Sequence, residues 1–174
     1  MRKSVKATVK ESDQNLRVSI ESPQSGWMAM RLQAADQALA MSVSHQPADS
    51  LRDLIETLSI VLAGGVGKVV RWNCAPDEYD FIFTNVGDKV QIIVAHYPDH
   101  RRKKNDAKIV FSLQDSALHV CLPFWTALRD LRRRVVVNEF ARHWRREFPN
   151  DSMQRLTKTI KAAKRETNPL PFTT

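Results

Sequence analysis

Hydrophobic residues alternate with polar ones along much of the first 46 residues. The alternating sets are Val5, Ala7 and Val9; Leu16, Val18 and Ile20; Met28, Met30 and Leu32; and Leu39, Met41 and Val43. Because successive side chains of a β-strand point to opposite faces, this pattern predicts half-buried strands with one wet face. Turn-forming residues separate the sets at 12–15, at 22–26 and around Asp36. Residues 4–46 are therefore predicted to form four antiparallel strands in meander order.

The pattern changes to a helical period over residues 48–63. Six apolar residues share one helical face: Leu51, Leu54, Ile55, Leu58, Val61 and Leu62. Asp49 or Ser50 is the predicted N-cap, because its side-chain oxygen accepts a hydrogen bond from a free backbone N–H. Gly64 and Gly65 are predicted to end the helix, since glycine adopts the left-handed C-cap conformation without a Cβ clash.

Strands are predicted next at about 68–73, 79–84, 89–97 and 107–113, and then two helices at 122–148 and 151–166. Pro123 is tolerated best in a first helical turn, which predicts a start near Leu122, and Pro149 marks the end of that helix. Residues 168–174 contain two prolines and are predicted to be a loose tail.

These elements predict an α+β fold: an antiparallel meander sheet of about seven to eight strands, packed by one central amphipathic helix and two C-terminal helices. Because runs of strands precede the final helices, a βαβ winding is not expected. Residues 1–167 are assigned to a single domain. Open sheet edges would also allow a homodimer.

Composition excludes several classes of protein. The sequence has no apolar run long enough for a membrane-spanning helix, and its basic N-terminus lacks the apolar core of a signal peptide. Its two cysteines, Cys74 and Cys121, have neither a zinc spacing nor a disulfide framework. A cytoplasmic location is predicted.

Motifs for site chemistry are weak. Gly64–Gly67 follows a helix and precedes a strand, the reverse of the order in a phosphate-binding loop. His96 and His100 are four apart, but they span a strand end and a loop, where that spacing does not define a metal site. The acids around Pro76 are interpreted as a solvated turn, with an acidic contact patch for a basic partner as the alternative. We predict no catalytic, cofactor-binding or metal-binding residue, which favours a protein that is not an enzyme.

Positive charge is concentrated late in the chain. The net charge is +8, and residues 101–150 alone hold twelve Lys/Arg against five Asp/Glu, a net +7. Such asymmetry indicates an anionic partner. The predicted partner-binding residues are Arg101, Arg102, Lys103, Lys104, Arg129, Arg132, Arg133, Arg142, Arg145 and Arg146. A solvated helix face, a protein-binding surface and a nucleic-acid-binding surface are all consistent with them.

Two segments resemble uncharacterised bacterial immunity-type α+β proteins of toxin neighbourhoods. The first carries Val70-Arg71-Trp72, Pro76-Asp77-Glu78-Tyr79, Phe81-Ile82-Phe83 and Gly87-Asp88-Lys89-Val90, and the second is residues 140–149, Phe-Ala-Arg-His-Trp-Arg-Arg-Glu-Phe-Pro. The resemblance covers about half of the chain. It implies a protein that binds and blocks a partner protein, and it transfers no individual functional residue.

The sequence therefore favours a non-enzymatic protein-binding module of immunity-like type. A nucleic-acid-associated protein that uses its basic C-terminal helix is the first alternative, and a small-molecule enzyme of unrecognised type is the second.

Overall fold

The computed structural model describes residues 15–168. Seven strands and four α-helices occur in this order: β1 Arg17–Ile20, β2 Trp27–Ala34, β3 Gln37–Ser44, α1 Ser50–Leu62, β4 Val70–Cys74, β5 Asp77–Val86, β6 Lys89–Tyr97, β7 Lys108–Ser116, α2 Ala117–Arg134, α3 Val137–Trp144 and α4 Asn150–Thr167. A short 3₁₀ turn, Lys104–Asp106, precedes β7. The α+β class predicted from the hydrophobic pattern is confirmed.

Strands β1, β2 and β3 form an antiparallel three-stranded sheet. Ile20 pairs with Met30 across β1 and β2, and Met30 pairs with Met41 across β2 and β3. The alternating residues of β2 are buried, so the period-two interpretation is confirmed for the three strands that the structure describes. The fourth predicted strand, at Val5–Val9, lies outside the described residues.

Strands β4 to β7 form a second antiparallel meander of four strands. The predicted strand positions are confirmed, and β5 and β7 extend further than expected, to Val86 and Ser116. A bulge between Val94 and Ala95 shifts the register of β6 against β7.

The predicted single sheet is not what the described residues form. β3 makes no backbone ladder with β4 or β7, although it packs next to both. The Gln37 side chain bridges the junction instead: its amide Nε2 donates to the Ser112 carbonyl at 2.9 Å, and the Ser112 N–H donates to its Oε1 at 2.9 Å. One side-chain amide thus takes the place that a neighbouring strand would occupy at this point of β7.

Helix α1 matches its prediction closely. Asp49 is the N-cap, and its carboxylate accepts from the Arg52 N–H at 3.3 Å. At the other end Gly64 has φ +83°, and its N–H donates to the Val61 carbonyl at 2.9 Å. Gly67 then passes so close to α1 that an added Cβ would lie 2.4 Å from the Thr57 methyl carbon. The glycines therefore end the helix, as predicted, and also allow the chain to pack closely against it.

The predicted helix 122–148 is wrong in three respects, one of which is its end: α3 ends at Trp144, four residues before the predicted end. It begins five residues earlier, at Ala117, where the Ser116 hydroxyl caps the His119 N–H at 3.2 Å, and it contains Pro123 in its interior. It also breaks at Val135 and Val136, which have extended backbones, before α3 begins. β-branched residues have a slightly lower helix propensity, and this favours a break at the two valines. The predicted last helix, 151–166, is confirmed as α4.

One continuous core contains residues from both sheets and from α1, α2 and α4. Phe124 of α2 packs edge-to-face on Phe81 and Phe83 of β5, at centroid distances of 6.3 and 5.8 Å. Helix α4 packs beside both α1 and α2. The line along which α2 and α4 meet remains open to solvent, and the candidate site lies there.

Candidate functional site

A groove runs between α2 and α4, with the indole of Trp125 at its base. Trp125 is only 8% exposed, and its Nε1 donates to the Thr157 hydroxyl of α4 at 2.9 Å. The Arg129 guanidinium carbon lies 4.8 Å from the Trp125 ring centroid and the Lys164 ammonium lies 5.3 Å from it. Two cations thus cover the buried ring, an arrangement that the quadrupole of the indole stabilises.

The groove contains a basic cavity of about 460 Å³. Its lining residues are Trp125, Arg129, Arg132, Arg133, Met153, Thr157 and Lys161. Residues three and four apart on a helix share a face, which explains why the three arginines of α2 converge here. The basic cavity and the neighbouring Lys164 together carry five cations.

In the part of the chain that the structure describes, one carboxylate forms an ion pair with this group of cations. Asp130 is 3.2 Å from an Arg129 guanidinium nitrogen in a pair open to solvent. Five cations against this acid leave a net +4. Within residues 15–168, Arg132, Arg133 and Lys161 have no ion-pair partner. The groove is therefore an electropositive surface whose charge is largely uncompensated within the chain.

An apolar cavity of about 370 Å³ adjoins the basic one. Its lining residues are Arg132, Val135, Phe140, Phe148, Asn150 and Gln154. The rings of Phe140 and Phe148 meet edge-to-face at 5.4 Å and form one wall. Arg132 lines both cavities, so the groove changes from apolar to basic at this residue.

The predicted basic cluster at 101–104 is divided by the fold. Arg101 is exposed and pairs with Asp99, Nε to Oδ2 at 3.0 Å, and this hydrogen bond lowers the pKa of Asp99 to about 2. Arg102 turns inward and only 16% of its side chain is exposed. Lys103 and Lys104 remain accessible to solvent.

Arg102 is held by two acids of β5. It donates to Glu78 at 2.6 Å and to Asp80, and its guanidinium carbon lies 4.1 Å from the Tyr97 ring centroid. Burial alone would lower the pKa of the Arg102 guanidinium, but the hydrogen bonds and charges of Glu78 and Asp80 raise it above its usual value. This arginine is an internal structural cation in the described chain.

The same ion cluster corrects the interpretation of the acids around Pro76. The predicted solvated turn is wrong for Glu78 and Asp80, which are only 9% and 6% exposed within β5, whereas the Asp77 side chain is 42% exposed. Asp80 also lies 3.6 Å from Arg71. Two acids spaced by two on a strand share a face, and this spacing is the sequence signal for a buried pair with a common cation.

The predicted arginine face at 142, 145 and 146 is also dispersed. Arg142 pairs with Glu139 at 2.6 Å on the surface of α3. Arg145 lies beyond the helix as its left-handed C-cap, with φ +66°. Arg146 donates to the carbonyls of His45 and Pro47, at 2.9 and 3.2 Å. None of the three lines either cavity.

The remaining chemically active side chains do not converge on the groove. His96 pairs with Asp77 at 2.6 Å on the second sheet. Burial raises the pKa of both the Cys74 and Cys121 thiols to about 12. Among the described residues, no group of three or more His, Cys, Asp or Glu is arranged to hold a metal ion, and none of their helices has the length and apolar character needed to cross a membrane.

Sequence reasoning found part of the groove. It selected Arg129, Arg132 and Arg133, but it missed Lys161 and Lys164 and the apolar wall. The signal was present in the helical spacing: Trp125 lies four residues before Arg129, and Lys161 lies three before Lys164, so each pair shares a helix face.

Comparison of the chain with protein-family models, with curated proteins and with solved structures finds no match.

Proposed function

We propose that this protein is a non-enzymatic protein-binding module that holds an acidic surface of a partner protein in the groove between α2 and α4. The observation that carries this proposal is the uncompensated charge of the groove, net +4, beside an apolar cavity. Unpaired cations held close together repel one another, and carboxylates of a partner relieve that repulsion while they steer its approach.

A protein partner suits the groove better than a nucleic acid does. Single-stranded nucleic acids are usually held by aromatic rings on which the bases stack. Trp125 is buried, and Arg129 and Lys164 cover it, so its ring offers no stacking surface. The rings of Phe140 and Phe148 instead wall a cavity suited to an apolar side chain.

The placement of the other basic residues supports the same choice. A phosphate backbone is tracked by a continuous row of cations. Here Arg102 is bound to Glu78 and Asp80, and Arg146 is bound to backbone carbonyls. The groove is therefore a local patch of charge, which matches a patch of carboxylates on a folded protein.

The immunity-like role that the sequence resemblance implies is one form of this function. In that role the acidic surface belongs to a protein that the module binds and blocks, in the cytoplasm of a bacterium. This part of the proposal rests on the sequence.

Charge reversal inside the groove tests the proposal. Tagged wild-type protein and an Arg133→Glu, Lys161→Glu double variant are incubated with host lysate, with and without nuclease treatment, and retained proteins are identified by mass spectrometry. The matched control is Lys89→Glu, Lys108→Glu, which makes the same charge change at exposed positions outside the groove.

We expect the wild-type protein and the control to retain the same discrete acidic protein, and the groove variant to lose it. Raised salt should weaken retention by the wild type, because surface charge pairs are screened. Equal retention by the groove variant would overturn the proposal. Retention that disappears on nuclease treatment would replace it with the nucleic-acid alternative.

A further inference from the structure

We propose that the partner enters the groove as an acidic segment led by one bulky apolar side chain, which occupies the cavity walled by Val135, Phe140 and Phe148. This inference rests on the proposed function and specifies the partner element that the same site accepts. It is based on the order of the two cavities along α4, on the size and lining of the apolar cavity, and on the position of Arg132 between them.

The order of apolar and basic lining residues along α4 determines the order of apolar and acidic side chains in the partner segment. Gln154 lines the apolar cavity, Thr157 and Lys161 line the basic cavity, and Lys164 covers Trp125. Ten residues of helix separate Gln154 from Lys164, a distance of about 15 Å at 1.5 Å per residue. The segment therefore presents an apolar group at one end and carboxylates over about 15 Å beyond it.

The apolar cavity is large enough for a side chain with a ring. Its volume is about 370 Å³, whereas a cavity of about 150 Å³ already accepts benzene. Phe140 and Phe148 already make an edge-to-face pair, and a third aromatic ring can extend that packing. The entering side chain is therefore predicted to be aromatic or large and aliphatic.

Arg132 determines which group of the segment lies next to the apolar side chain. It lines both cavities and, within the described chain, it has no ion-pair partner. A planar guanidinium binds a carboxylate through two parallel hydrogen bonds, which fixes orientation as well as charge. We therefore expect a carboxylate directly beside the apolar residue, and we expect Arg133, Lys161 and Arg129 to bind the carboxylates further along the segment.

The test uses two labelled hexapeptides that differ only in the leading residue: Trp-Glu-Asp-Glu-Asp-Glu and Ala-Glu-Asp-Glu-Asp-Glu. Dissociation constants are measured by fluorescence polarisation at low salt. Burial of a large apolar side chain predicts about ten- to hundred-fold tighter binding of the tryptophan peptide.

Two tryptophan substitutions on α4 locate that gain. Gln154→Trp adds an indole at the rim of the apolar cavity and should abolish the preference for the tryptophan peptide. Ala162→Trp, at an exposed position on the same helix that lines neither cavity, should preserve the preference. Circular dichroism checks that both variants keep the helical content of the wild type.

The failures of the two proposals are distinguishable. Equal binding of both peptides, weakened for both by Arg133→Glu, Lys161→Glu, would overturn the apolar leading residue and leave the basic groove standing. If neither peptide binds, this inference fails; the proposed function fails with it only if the groove variant also retains the same proteins from lysate as the wild type. A six-nucleotide oligothymidylate that binds more tightly than either peptide, with an affinity unchanged by Gln154→Trp, would overturn the inference in favour of nucleic acid.

Discussion

Arg102 lies in the most basic run of the sequence, yet the structure places it inside the protein. Its replacement shows whether it stabilises the fold or belongs to a partner-binding surface. In Arg102→Met the aliphatic stem is kept and the guanidinium is removed. Glu78 and Asp80 then lose their shared cation in a site where they are 9% and 6% exposed. A buried carboxylate without a partner is strongly destabilising, because its charge has lost water without gaining a counterion.

The expected loss lies between two limits. An exposed ion pair contributes about 0–1 kcal/mol, and the loss of one partner from a fully buried pair costs about 3–5 kcal/mol. The Arg102 side chain is 16% exposed, and Arg71 remains 3.6 Å from Asp80 as a partial substitute. We therefore expect a loss of about 2–3 kcal/mol, which lowers Tm by roughly 4–12 °C for a chain of this length.

Urea unfolding measures this loss through tryptophan fluorescence, since Trp72 and Trp144 are fully buried. The control is Arg101→Met, the same change at the exposed neighbour that pairs with Asp99; we expect it to leave the stability almost unchanged, because water screens an exposed pair. A triple variant, Arg102→Met with Glu78→Gln and Asp80→Asn, should recover much of the loss because no buried charge remains. Equal stability of the two single variants would refute this reasoning and return Arg102 to the candidate partner surface.

Three further predictions concern the core and the thiols. Phe124→Ala removes the buried ring of α2 that packs on Phe81 and Phe83 and should lower the free energy of unfolding in urea by about 3–5 kcal/mol. A loss below about 1 kcal/mol would contradict that packing. Gly67→Ala places a methyl against Thr57 and should cost about 1–3 kcal/mol by the same assay, whereas unchanged stability would mean that the loop shifts freely. Burial raises the pKa of the Cys74 and Cys121 thiols to about 12. Both should resist iodoacetamide at pH 8 until urea is added, because the reactive thiolate forms only as pH approaches that pKa. Labelling of the native protein at the rate of a free thiol would contradict this.

Local patterns predicted most of the elements because each carried its own boundary signal. Helix α1 has a one-sided apolar face, an Asp49 cap and a glycine stop, and all three act within a few residues of the chain. Strands β4 to β7 alternate in polarity. Two-residue turns join β4 to β5 and β5 to β6, and a charged loop over 98–107 joins β6 to β7, which suffices to predict a meander.

The division into two sheets had no such signal. It depends on how β3 lies against β4 and β7, and on the Gln37 amide that closes the junction with Ser112, 75 residues away. The sequence around a glutamine at the start of a strand looks the same whether its side chain faces water or binds another strand. Pairing between distant strands is set by the packing of the whole core, which no local window contains.

The candidate site was predicted in part, for a comparable reason. Charge density selected the three arginines of α2 that line the basic cavity, because helical spacing determines which of them share a face. It also selected Arg102 and Arg146, whose partners are distant in sequence: two acids of β5, and the carbonyls of His45 and Pro47. Charge alone does not distinguish a cation that is free to bind a partner from one that is already bound within the chain.

The break between α2 and α3, which the sequence pattern did not predict, shapes the candidate site. A continuous helix over 122–148 would place Val135 and Phe148 about 20 Å apart along its axis, at 1.5 Å per residue. The extended backbones of Val135 and Val136 instead let the chain turn, so that Phe140 and Phe148 return to wall one cavity with Val135. The apolar half of the groove therefore exists because the helix ends at Arg134. A partner that needs this half needs the break, whereas one that needs only charge would bind the arginines of an unbroken helix equally well.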